Sequence, residues 1–124
     1  MTSFTPAYED EPVMFEIVRD PDALPPLLRL SGEMDLRAAP ELREALLKAL
    51  ADGQGSVLLD LAELSFIDST IISVLIMARK RADTSDGEVR LRAVPGRIQR
   101  ILAITGIDSL FPVDDPPVNG TADG

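Results

Sequence analysis

Asp68, Ser69 and Thr70 set one acid and two hydroxyls side by side between an apolar run and an apolar helix. Such a group has three chemical uses: a hydroxyl can act as a nucleophile, accept a phosphoryl group, or cap a helix. A nucleophilic serine needs a base, and the sequence contains no histidine. Lys48 and Lys80 are present, yet no motif places either beside Ser69. There is no glycine-rich phosphate loop, and acids such as Asp35 and Asp68 show no metal-ligand spacing. With no cysteine either, thiol chemistry is excluded, and the expectation is a protein without catalytic residues, metal or cofactor of its own. Capping is worth about 1 kcal/mol and needs only one of the three side chains. Two hydroxyls are therefore left over.

The elements that must hold this triplet follow from hydropathy. Residues 57–61 form a short continuous apolar run, which fits a strand covered on both sides. The helix starts near Asp68 or Ser69, carries Ile71, Ile72, Val74, Leu75, Ile76 and Met77, and ends in Arg79-Lys80-Arg81, whose charge suits a helix C-terminus. Upstream, residues 13–18 and 27–31 read as two strands that pair antiparallel, with Gly32 as a sharp exit from the second. Leu42, Ala45, Leu46, Ala49 and Leu50 recur at helical spacing within 40–50, and Asp52-Gly53-Gln54-Gly55 stops that helix. Downstream, Val89, Leu91 and Ala93 alternate with charged residues as in a half-solvated strand near a sheet edge. A last helix over 95–105 turns Ile98, Ile101 and Leu102 inward and ends at Gly106, where a left-handed cap is wanted. Phe111 anchors a final short strand.

Strands alternating with helices predict one α/β domain over residues 13–113, between a flexible N-terminal segment, 1–12, and a flexible acidic tail, 114–124. Aromatic content of 4% means the core is built from Leu, Ile, Val and Ala. The net charge of −9 sits mostly at the ends: residues 1–26 hold six acids and one arginine, and 112–124 hold three acids and no base. Acidic ends disfavour nucleic acid and anionic membranes as partners. No basic segment followed by a long apolar run opens the chain, so neither a signal peptide nor a membrane span is expected. The expected location is the cytoplasm.

Phe66-Ile67-Asp68-Ser69-Thr70-Ile71-Ile72 resembles the strand-to-helix junction of bacterial anti-sigma factor antagonists, members of the STAS domain family. Leu30-Ser31-Gly32-Glu33-Met34-Asp35 is similar to the Gly-Glu-Leu-Asp turn of that family, and Ile104-Thr105-Gly106-Ile107-Asp108-Ser109-Leu110-Phe111 supplies a third match in order. The resemblance implies a single STAS-like domain, with a mixed four- to five-stranded sheet and helices packed mainly on one face. It implies that Ser69, or less readily Thr70, accepts phosphate from an anti-sigma factor with serine kinase activity. ATP and Mg²⁺ then belong to the kinase, and a phosphatase resets the switch. By the same resemblance, Gly32, Glu33, Met34 and Asp35 join Asp68, Thr70, Ile71 and Ile72 at the docking surface. Two departures stand out: Ile71 occupies a position where the family favours glycine, and the chain lacks the family's frequent closing helix. The alternative role is a STAS-type scaffold or accessory subunit that is never phosphorylated. The sequence leaves the oligomeric state open.

Overall fold

The computed structural model describes residues 14–114. Strands β1 (Phe15–Asp20) and β2 (Leu27–Met34) lead into helix α1 (Ala39–Asp52), and β3 (Val57–Ile67) into α2 (Ser69–Asp83). Then come β4 (Val89–Arg92), α3 (Gly96–Ile104) and the two-residue β5 (Val113–Asp114). The sheet order is β1-β2-β3-β4-β5, with β1 antiparallel to β2 and all later neighbours parallel. It is a mixed five-stranded sheet, as expected. Each helical crossover moves one strand further in the same direction, and right-handed crossovers of that kind put the helices on one face. The core lies between: Leu28, Leu59 and Leu91 of the sheet are buried with Leu42 and Leu46 of α1, Leu75 of α2, and Ile98 and Leu102 of α3.

Both strands that lead to the candidate site are longer than the sequence suggests. β3 continues to Ile67 rather than stopping at Leu61. Its first four residues pair with β4, but from Glu63 onward it is flanked by β2 alone, so the doubly covered pattern gives way to a mixed one. β2 runs through Gly32 to Met34. Gly32 is therefore no exit but an irregularity inside the strand, with register shifts on either side of the Ser31-Gly32 step and a φ of 84°. A Cβ there would collide with the Met14 carbonyl, which accepts the Glu33 N–H at 2.7 Å. Glycine alone allows that approach.

Other boundaries move by a residue or two. β1 covers 15–20 instead of 13–18, and the Asp20 carboxylate takes the Asp22 N–H at 2.9 Å to start the following turn. The end of α3 matches expectation: the Gly106 N–H bonds the Ala103 carbonyl and the Ile107 N–H that of Leu102, both at 3.0 Å, with Gly106 at φ 78°. Asp114 belongs to β5 and not to a tail: it pairs with Arg92 of β4, and its carboxylate accepts the Arg90 Nε–H at 2.8 Å. The remaining expectations of flexible ends, residues 1–12 and 115–124, fall outside the described residues. Among the described residues, no helix is long and apolar enough to cross a membrane.

Candidate functional site

β2 and β3 run parallel and finish level with each other, Glu33 opposite Phe66 and Met34 opposite Ile67. The next residue of each chain is an aspartate. Asp35 and Asp68 thus emerge side by side at one end of the sheet, and both have the extended backbone of a helix cap, with φ of −114° in each case. Asp35 opens a single 3-10 turn (Leu36–Ala38) and accepts the Arg37 N–H at 2.9 Å. Asp68 opens α2 and accepts the Ile71 N–H at 3.0 Å, while its own carbonyl takes the Ile72 N–H at 3.1 Å. Both carboxylates satisfy amides that a helix start leaves without partners.

Above this pair of caps sits Ser69, exposed as the first residue of α2. Thr70 is half-buried one step further in. The structure therefore brings Gly32, Glu33, Asp35, Asp68, Ser69 and Thr70 to one ledge. Three members of the expected docking set are not on it. Met34 and Ile71 are 0% exposed, and Ile72 is 8% exposed. Alternation along β2 turns Met34 to the helix-covered side, and α2 is covered on two sides, by the sheet and by α1, so Ile71 points into the core. Ile71, Val74 and Ala78 form a second buried face rather than a partner surface. The bulk of Ile71, where the family favours glycine, thus enters the core and not the exposed start of α2.

The apolar groups that do reach solvent nearby are Leu36, 64% exposed, and Phe66, 44% exposed. The sequence carried a signal for Phe66: strand alternation against Ile67 sends the two side chains to opposite faces, once residues 62–67 are recognised as strand. Leu36 gave none, since a single leucine after a cap reads equally well as core.

The Arg37 guanidinium reaches both Asp35 oxygens, Nε to Oδ1 at 3.3 Å and a terminal nitrogen to Oδ2 at 3.2 Å. Together with the Arg37 N–H, this contact holds the Asp35 carboxyl below the ordinary aspartate range. A folded-state value below the unfolded one adds stability that is present above the ordinary range, about pH 3.9, and is lost as pH falls through the lowered value. Following the side-chain carboxyl carbon by NMR should give a midpoint below the usual range, and Arg37→Ala should raise it. An unmoved midpoint in the variant would show that Arg37 does not hold the carboxylate in solution. Among the described residues no three His, Cys, Asp or Glu side chains converge to hold a metal ion.

The family model described as Mlab, STAS domain matches residues 19–112. The chain belongs to the STAS domain family. It is 31% identical over 88 residues to the anti-sigma-B factor antagonist of Staphylococcus aureus, a match covering 71% of this chain and 82% of that protein. Among solved structures, an anti-sigma factor antagonist from Mycobacterium paratuberculosis superposes with a TM-score of 0.68 at 25% identity, covering 80% of this chain and 84% of that one. The antagonist SpoIIAA in its unphosphorylated form gives a TM-score of 0.70 at 16% identity, over 82% and 88% of the two chains, and shares the fold.

Proposed function

We propose that the protein is an anti-sigma factor antagonist whose unphosphorylated form captures an anti-sigma factor, a serine kinase, and so frees a sigma factor, with phosphorylation of Ser69 as the off switch. One observation carries the proposal: Ser69 is an exposed hydroxyl on the first turn of α2, beside the in-register ends of β2 and β3. The 31% identity to a curated anti-sigma-B factor antagonist supports the same role. The docking ledge consists of Gly32, Glu33, Asp35, Asp68, Ser69 and Thr70, joined by exposed Leu36 and Phe66.

Magnitudes explain why such a switch acts on binding and not on folding. A phosphoryl group adds a charge of about −1.5 to −2, and two like charges ~4 Å apart near a surface repel by up to about 4 kcal/mol. The helix N-terminus returns only ~0.3–1 kcal/mol. Water solvates the phosphate on the free ledge, whereas a docked partner excludes that water. The cost falls on the complex. ATP and Mg²⁺ are bound by the kinase, a phosphatase restores the hydroxyl, and the cycle runs in the cytoplasm with its sigma factor.

Incubation with ATP and an anti-sigma serine kinase of the same cell, followed by mass spectrometric mapping, should place phosphate on Ser69. Ser69→Ala should remove the label and keep partner binding. Phosphate on Thr70 would move the acceptor one residue, and a kinase that binds without labelling would favour the unphosphorylated scaffold role.

A further inference from the structure

Helix α3 buries one apolar face fully and leaves part of a second at the surface. Ile98 and Leu102 are buried in the core. Arg97, Arg100, Ile101 and Ile104 recur at i, i+3, i+4 and i+7, a stripe of their own, and Ile104 is 78% exposed. This stripe faces the end of the sheet across a groove of about 550 Å³, with Phe66, Ile101 and Ile104 as its apolar lining and Glu33 and Ser65 at its sheet side.

The groove carries two arginines, Arg97 and Arg100, against one acid, Glu33. Arg19, Arg37, Arg79, Arg90 and Arg92 each reach a carboxylate. Among the described residues neither Arg97 nor Arg100 does; Arg97 gives one long bond, 3.3 Å, to the Ser65 carbonyl. Arg29, Arg43 and Arg81 likewise reach no carboxylate among the described residues; what sets Arg97 and Arg100 apart is that they stand together over an apolar floor. The groove is also continuous with the ledge, since Phe66 pairs with Glu33 and lies three residues before Ser69.

We infer that this groove receives an acidic segment of the anti-sigma factor, bearing at least one apolar anchor, as a second contact beside the Ser69 ledge. The inference rests on the proposed function. A carboxylate on the partner meets two guanidinium forks, and its neighbouring apolar side chain covers Phe66 and Ile104. The groove offers a partner carboxylate two guanidinium groups against one acid, Glu33, so the arginines fix the orientation in which the partner docks. The ledge reads the phosphorylation state, and the groove reads partner identity.

The test uses the full chain and a purified anti-sigma serine kinase of the same cell, with affinity measured by calorimetry at two salt concentrations. The Arg97→Glu/Arg100→Glu double variant should bind about 10- to 100-fold more weakly and lose most of its salt dependence. Ile104→Ser should cost about tenfold with an unchanged circular dichroism spectrum, because Ile104 is exposed. If these variants bind like the parent while Ser69→Glu does not, the groove inference is overturned and the proposed function stands. If Ser69→Glu binds normally as well, or the parent does not bind the kinase, the proposed function itself fails. A parent dimer broken by the arginine variants, with kinase binding intact, would assign the groove to a second copy and overturn the inference.

Discussion

Ser69→Glu is expected to lower affinity for the anti-sigma factor at least tenfold, about 1.4 kcal/mol, while leaving the thermal midpoint unchanged or slightly raised. The two effects have separate origins. Ser69 is the exposed first residue of α2, and an acid on the first turn interacts favourably with the positive end of the helix by ~0.3–1 kcal/mol. In a complex the same carboxylate sits next to Asp68 without water, where like charges repel by up to about 4 kcal/mol. The repulsion outweighs the helix-end attraction, and it acts at full strength only when the partner is bound. Glutamate carries one charge where phosphate carries nearly two, so the variant should fall short of the fully phosphorylated protein. Calorimetric titration and a melting curve on the same sample separate binding from folding. Equal affinity for parent and variant would remove Ser69 from the interface.

Ile71→Asp is expected to unfold the domain. The side chain has no exposure to solvent and lies in the core beneath the α2 cap, where no described group stands ready to receive a carboxylate. Burying an unpaired acid, even one that takes up a proton, costs several kcal/mol, and removing the isoleucine volume adds a cavity. Domains of this size have about 5–15 kcal/mol in hand. Ile71→Ala isolates the cavity and should cost ~2–5 kcal/mol in urea denaturation, with the fold retained. A folded Ile71→Asp with native circular dichroism would show that the helix start can turn outward, and would return Ile71 to the docking surface.

The two residues also show what was legible in the sequence. Asp68 as a cap and Ser69 as the exposed hydroxyl follow from side-chain chemistry at a helix start, which is local. The stripe of α1 and the Gly106 cap of α3 were legible for the same reason. Ile71 was not, because whether a second apolar face of a helix is covered depends on where α1 lies, and no local pattern states that. The outer halves of β2 and β3 were hidden in a related way. Glu33, Glu63 and Ser65 interrupt the apolar runs because that end of the sheet lacks β4 as a neighbour, and the strands persist through pairing with each other. Ile101, expected inward, packs half-buried against the core, and the exposed face of α3 is visible as Arg97 and Arg100. Its use depends on Phe66, which belongs to a strand the hydropathy pattern ended too early.

The alternation at the ends of β2 and β3 has an evolutionary consequence. Met34 and Ile67 face the core while Glu33 and Phe66, their chain neighbours, face solvent, so the layer that holds the ledge in place is distinct from the layer open to a partner. Substitutions in the outer layer change recognition at little cost to the fold, and those in the inner layer do the reverse. Duplicated copies of such a domain can therefore diverge in specificity one surface residue at a time, and parallel signalling circuits within one cell can stay insulated from each other while sharing the same architecture.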